Sequence, residues 1–216
     1  MARSDDVVLF DLDGVLVDSR GPITSCINQA LAAHGLPERD PAELYQYIGP
    51  PLLSAFAELV GAPVDSPLVV RCAASYRERS AEASLTETAV TPGIVDTLAA
   101  LDGAGRRLGV ATSKPRPFAE PLLEVLGMRR YFAAVAGPEL DATGEDKTTT
   151  VANALRALGA TGGAMVGDRS FDMVAARAHG LRAIGVAWGI GSRAELRAAG
   201  ADRIVATPAE LPAAVS

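Results

Sequence analysis

The sequence predicts an α/β protein: a doubly wound parallel sheet with an all-helical unit inserted near its start. Three observations carry this. Short apolar runs alternate with helical periods from Val90 onward, the pattern of a parallel sheet covered by helices. Residues 22–84 show helical period and no strand signal. The first strand, Val7–Phe10, is a continuous apolar run, as expected of a strand buried on both faces. The boundaries that follow are an α/β core over 1–17 and 88–216 and a helical unit over 18–87.

The first strand runs into Asp11 and Asp13, one residue apart, and then Gly14. Neighbouring buried carboxylates repel, and burial penalises each. A cation removes both penalties, and hard divalent ions such as Mg²⁺ take carboxylate and carbonyl oxygens together with substrate phosphate. The alternative is a solvated turn at the strand end.

The insert reads as a series of helices. Ile23 to Leu31 has helical period, with Gly35 as a stop. Asp40-Pro41-Ala42-Glu43 is a helix start with proline at the first position. Gly49-Pro50-Pro51 breaks the pattern, residues 52–60 resume it, and Ser66-Pro67 opens a longer helix. Ser19 reads as a cap for the first of these helices, a reading also open to Asp18. In the core, helix 94–101 precedes strand 107–112, and helix 118–126 precedes strand 132–136. A polar loop, 137–146, leads to Lys147 and a helix to about Leu158. Strand 164–166 stops at Gly167-Asp168, and helix 171–178 follows. Short strands at 183–187 and 204–205, each followed by a helix, complete the alternation.

Composition narrows the function. A formal net charge of −6 over 216 residues, with no local basic cluster, gives no support for a nucleic-acid or anionic-membrane surface. No run of 18 apolar residues and no leader pattern is present. Cys26 and Cys72 form neither a metal spacing nor a disulfide framework, so a reduced, cytoplasmic enzyme is expected, and no unusual apolar helical face stands out, so a monomer is expected. The chain has only two lysines, Lys114 and Lys147. Lysine and arginine are not interchangeable at a compact phosphate site, so both lysines are site candidates.

Ligands of open α/β sheets bind beyond the carboxyl ends of the strands. The residues there are Asp11 and Asp13 after the first strand, and Thr112, Ser113 and Lys114 after the second. Lys147 closes the loop after the third, and Asp168 follows the fourth with Asp172 one helical turn on. Acids, a hydroxyl and ammonium groups can together hold a metal and a phosphoryl group, and phosphoryl transfer is mostly positioning and charge neutralisation. Each residue also has a plainer reading. Thr112 is β-branched in a strand, Lys147 starts a helix, and Asp172 is a first-turn acid favoured by the helix dipole. His34 and His179 have no acidic or cysteine partner in ligand spacing and read as structural.

Four pieces in this order resemble the haloacid-dehalogenase-like phosphatases, in the phosphoglycolate-phosphatase-like branch with a helical cap. They are Asp11-Leu12-Asp13-Gly14-Val15-Leu16-Val17-Asp18-Ser19, Ala111-Thr112-Ser113-Lys114-Pro115, Lys147, and Gly167-Asp168-Arg169-Ser170-Phe171-Asp172. The resemblance implies a Rossmann-like sheet and a Mg²⁺-dependent hydrolysis of a small phosphorylated metabolite. Asp11 is then the nucleophile that forms an aspartyl-phosphate. Asp13 protonates the leaving alcohol and then activates water. Thr112 and the Ser113 backbone N–H hold phosphate oxygens, and Lys147 neutralises the Asp11–phosphate pair. Mg²⁺ is held by the Asp11 carboxylate, the Asp13 carbonyl and Asp168, with Asp172 as a ligand or support. Lys114 lines the pocket. By position alone, Gly49-Pro50-Pro51 is a substrate-facing loop of the cap, or an ordinary helix breaker, and Arg20 at its first hinge meets a substrate anion.

The departures from the family's pattern also inform. No proline follows Lys147, which touches the turn and not the charge. Ser19-Arg20-Gly21-Pro22 carries none of the histidine that sugar-phosphate mutases have there, which disfavours a mutase. Asp13 is present where dehalogenases lack a second acid, which favours phosphoester hydrolysis. A 5'-nucleotidase or pyrophosphatase is the alternative substrate reading. A phospho-acceptor signalling domain and a catalytically silent binding protein are the rivals of other classes. Gly189-Ile190-Gly191-Ser192-Arg193-Ala194 formally fits a dinucleotide fingerprint, but no acid follows at the required distance. Ser192 with Glu195 reads instead as a capping box.

Overall fold

The computed structural model describes residues 6–140 and 146–216; the middle of the 137–146 loop and the start of the chain lie outside them. The chain divides into two compact units, one comprising residues up to Asp18 with Val90–Ser216, the other Ser19–Ala89.

The first unit is built on a six-stranded, all-parallel sheet. Its strands are β1 (Val7–Phe10), β4 (Arg107–Ala111), β5 (Phe132–Ala136), β6 (Ala164–Gly167), β7 (Arg182–Val186) and β8 (Arg203–Val205). Their spatial order is β5-β4-β1-β6-β7-β8. The chain builds outward from β1 through β4 to β5, crosses back to β6, and builds outward the other way. This reversal makes the carboxyl end of β1 the switch point, where such sheets bind ligands. Because β1 is central, Val8, Leu9 and Phe10 are fully buried, which accounts for its unbroken apolar run. Among the described residues, the helices that accompany this sheet are α5 (Ile94–Gly103), α6 (Arg116–Val125), α7 (Lys147–Leu158), α8 (Ser170–Ala178) and α9 (Arg193–Ala198). Short α10 (Leu211–Ala214) follows β8. Val151, Leu155 and Leu158 of α7 share one cluster with Leu9, Met165 and Met173.

The second unit holds α1 (Arg20–Ala33), α2 (Pro41–Leu44), α3 (Leu52–Val60) and α4 (Pro67–Glu87). Ile27, Leu31, Leu44, Phe56, Val69 and Cys72 form its core. Asp40 caps α2 through Ala42 N–H at 2.8 Å, and Ser66 caps α4 through Val69 N–H at 3.3 Å.

Three local expectations need correction. A second, two-stranded sheet pairs β2 (Val17–Asp18) with β3 (Ala89–Val90), so Asp18 lies in a strand. Two residues are too few for a period of two to register in the sequence. Ser19 stands at the N-cap position of α1, but its hydroxyl caps nothing and is buried without a hydrogen-bond partner. Strand β4 ends at Ala111, leaving Thr112 just beyond it, although Thr112 N–H still donates to Ala136 O at 3.0 Å.

Candidate active site

Asp11 follows the last residue of β1, and its N–H donates to Val166 O of β6 at 2.9 Å. The chain then winds tightly. The Leu12 carbonyl accepts from the N–H groups of Leu16 and Val17 at 3.0 and 3.1 Å, and Gly14, at φ +86°, donates to Val17 O. Fully buried Leu12, Val15, Leu16 and Val17 anchor the turn, while Asp11 and Asp13 face the site.

Lys147 is the first residue of α7, fixed there by Asp146, whose Oδ1 accepts from Thr149 N–H at 2.8 Å. That cap secures the turn without a proline after Lys147. A cation at a helix N-terminus opposes the helix dipole, and burial adds to the penalty. The compensation is electrostatic: Lys147 Nζ lies 2.8 Å from Asp11 Oδ1 and 2.9 Å from Asp172 Oδ1. Burial pushes the ammonium down, and Asp11 and Asp172 together push it further up, so Lys147 remains charged.

Asp172 is buried, which removes the reading of a solvated first-turn acid. Its Oδ2 accepts from Asp168 N–H at 3.1 Å and Arg169 N–H at 3.0 Å, capping α8. Asp168 Oδ2 accepts from Ile190 N–H at 2.7 Å, and its Oδ1 is buried with no partner. Carboxylate oxygens of Asp11, Asp168 and Asp172 all lie within 4.8 Å of one another. Burial holds Asp11 up at about 6 despite Lys147, with Asp172 and Asp13 adding to the rise. Burial, then Asp172 and Asp11, hold Asp168 well above the usual carboxylate range.

Asp13 is placed differently. Its carboxylate stands with Lys114, whose Nζ lies 3.0 Å from Oδ2 and 3.2 Å from Oδ1. Lys114 is therefore part of the constellation. Thr112 is buried, and its Oγ1 accepts from Lys114 N–H at 3.1 Å, while Ser113 beside it is half-buried.

The residues fit a divalent cation. Four carboxylates and two ammoniums leave a formal charge of −2, the ligand atoms are hard oxygens, and Asp168 Oδ1 lacks any other partner.

Arg20 and Gly49 belong to the helical unit. Arg20 opens α1 with its guanidinium 5.9 Å from the Tyr45 ring centroid, and Gly49 precedes α3 at φ +107°. His34 Nε2 lies 3.0 Å from Ser75 Oγ, and His179 Nε2–H donates to Thr148 O at 2.9 Å. Both histidines take the structural role that the sequence predicts.

The segment after β7 went unrecognised in the sequence. Ser192 caps α9 through Glu195 N–H at 3.0 Å, but the Glu195 carboxylate does not return the bond. It accepts from Ser170 N–H at 2.8 Å and Arg169 Nε at 3.1 Å, so the capping box is only half formed. The glycines of the false fingerprint lie against Asp168: a methyl group at Gly189 would strike its side chain, and one at Gly191 its carbonyl. Trp188 Nε1–H donates to Val15 O at 3.2 Å, tying the same segment to the turn that carries Asp13. The signal available in advance was two glycines just after a strand at the sheet's ligand end.

Residues 8–186 match the family model described as haloacid dehalogenase-like hydrolase. The chain is 42% identical over 193 residues to a 5'-nucleotidase of Pseudomonas aeruginosa, spanning 88% of this chain and 86% of that protein. It is 33% identical over 210 residues to a phosphoglycolate phosphatase of Chromobacterium violaceum, spanning 94% and 93%. A crystal structure from Clostridium acetobutylicum, described as a predicted phosphatase, superimposes with a TM-score of 0.90 at 34% identity over 97% of each chain.

Proposed function

The chain belongs to the haloacid dehalogenase-like hydrolases and is a phosphoric monoester hydrolase, and we propose that it cleaves a small phosphorylated metabolite through an aspartyl-phosphate on Asp11. One observation carries the proposal: Lys147 holds Asp11 Oδ1 at 2.8 Å beside a buried acid pair, one of whose oxygens, Asp168 Oδ1, has no partner.

Asp11 is the nucleophile because its carboxylate is fixed at the strand end. Attack on phosphorus forms the Asp11–phosphate bond as the bond to the substrate alcohol breaks. Asp13 gives its proton to the leaving oxygen and later removes one from the attacking water. The same carboxylate serves both halves, because Lys114 and the turn hold it in place. The Thr112 hydroxyl accepts from Lys114 N–H and keeps its hydrogen for a phosphate oxygen, with the Ser113 N–H beside it. Lys147 offsets the charge that Asp11 and the phosphoryl group share. The Asp11 and Asp168 carboxylates and the Asp13 carbonyl would hold Mg²⁺, with Asp172 as ligand or support. Bound there, the ion neutralises phosphate charge and polarises the phosphoryl group.

The helical unit is read as a cap that excludes water from the reaction and sets selectivity, with Arg20 and Gly49 as its substrate-facing candidates. A phosphoglycolate-like substrate is the leading reading. The 42% identity to a 5'-nucleotidase supports nucleoside monophosphates as the second. Phosphate release from a panel containing both classes, pyrophosphate and sugar phosphates, with Mg²⁺ and with chelator, tests the proposal. Chelator-sensitive release from at least one monoester supports it, and metal-independent release throughout counts against it. Changed ranking in a Pro50→Ala, Pro51→Ala variant supports the cap reading, and unchanged ranking contradicts it.

A further inference from the structure

Three contacts from one late segment converge on Asp168-Arg169-Ser170. Ile190 N–H donates to Asp168 Oδ2 at 2.7 Å. Gly191 lies against the Asp168 carbonyl with no space for a side chain. The Glu195 carboxylate accepts from Ser170 N–H and Arg169 Nε. From the other side, Asp172 Oδ2 accepts the N–H groups of Asp168 and Arg169. The short stretch carrying Asp168 is therefore gripped from two sides. The local cap of α8 is already supplied by Asp172. Glu195 comes from 25 residues beyond Ser170 and adds a second acceptor at the same helix start.

We propose that Glu195 is a positioning residue: by holding Arg169 and Ser170 it fixes the backbone from which Asp168 presents its free oxygen and Asp172 faces Lys147. The inference rests on the metal-dependent reading above. Glu195 is not among the carboxylates that gather with Asp11. It acts by keeping the ligand oxygens in place before the cation arrives, and loss of such support around a metal ligand lowers affinity about 10–100-fold.

The test is calorimetric titration of Mg²⁺ into metal-stripped full-length protein, for wild type, Glu195→Ala, Glu195→Gln, Glu195→Asp and Ser192→Ala. Glu195→Ala should bind Mg²⁺ about tenfold more weakly or worse and regain its kcat at high Mg²⁺, with substrate KM little changed. Glu195→Gln keeps an acceptor oxygen and should restore most of the affinity. Glu195→Asp keeps the charge, is one methylene too short to reach both donors, and should show the loss even if the alanine variant fails to fold. Ser192→Ala removes the α9 cap at Glu195 N–H and should lower the melting temperature without weakening Mg²⁺. Wild-type Mg²⁺ affinity in Glu195→Ala or Glu195→Asp overturns the inference, as does an equal affinity loss in Ser192→Ala. Wild-type protein that takes up no Mg²⁺ overturns the metal-dependent reading as well.

Discussion

The Lys147 ammonium sits 2.8 Å from Asp11 Oδ1, both groups buried, at the junction of a strand end and a helix start 136 positions apart in the chain. An ion pair in that setting is weak evidence for stability, because desolvation offsets most of its attraction. Breaking it is another matter. Lys147→Met leaves Asp11 and Asp172 facing each other without a cation and should destabilise the chelated protein by about 3–5 kcal/mol. Added Mg²⁺ should recover part of that stability but not turnover. Lys147→Arg should not restore activity, since a planar guanidinium cannot place one point charge between two carboxylates. Denaturant melts with and without Mg²⁺, beside turnover assays, check both statements.

The raised carboxylates give a pH prediction with a definite sign. Burial holds Asp11 at about 6 against 3.8 for the unperturbed acid, so the folded metal-free protein binds this proton more tightly than the unfolded chain. Its contribution to stability is full below 3.8 and is lost as pH rises through about 6. The loss is on the order of 3 kcal/mol. Asp11→Asn keeps the shape and never ionises. In chelator it should therefore gain stability over wild type as pH rises through this window, and Mg²⁺ should narrow the gap. A pH-independent difference between the two proteins contradicts the prediction.

Glycines around Asp168 give a steric prediction. A methyl group at Gly14 or Gly189 would overlap the Asp168 carboxylate, and Gly14 also holds φ +86°. Gly14→Ala and Gly189→Ala should each lower turnover at least about tenfold by displacing a ligand oxygen. Gly21, inside α1, has nothing near its missing Cβ. Gly21→Ala should leave turnover intact and be neutral to stabilising by up to about 1 kcal/mol. Steady-state kinetics and thermal melts on the three variants separate these outcomes.

Lys114→Met tests the second ion pair. Without its ammonium partner, Asp13 loses the contact that holds it at 3.0 Å. The expected result is a fall in kcat larger than the change in Mg²⁺ affinity, because Asp13 offers its carboxylate to proton transfer and not to the acid triad. An effect on Mg²⁺ affinity alone would contradict this.

The fold was legible wherever chemistry and periodicity coincide. Acids, a hydroxyl and two rare lysines stand at strand ends, and a parallel sheet brings strand ends together, so Asp11, Thr112, Lys147 and Asp168 could be gathered from spacing alone. Their pairing was not legible. That Lys114 goes to Asp13 while Lys147 bridges Asp11 and Asp172 depends on side-chain reach across loops, which no sequence period encodes. Glu195 was hidden for a related reason: its spacing from Ser192 looks like a local cap, and only tertiary packing turns its carboxylate toward Ser170. Strands β2 and β3 were missed because each has two residues.

The aspartyl-phosphate route is tested by phosphate release from the best monoester of the panel, measured with Mg²⁺ and with chelator, for wild type beside Asp11→Asn. Wild type should turn over only with the metal, and the variant should not turn over at all. Equal release by both proteins would contradict that route, because a reaction indifferent to Asp11 cannot proceed through a phosphate bound to that residue.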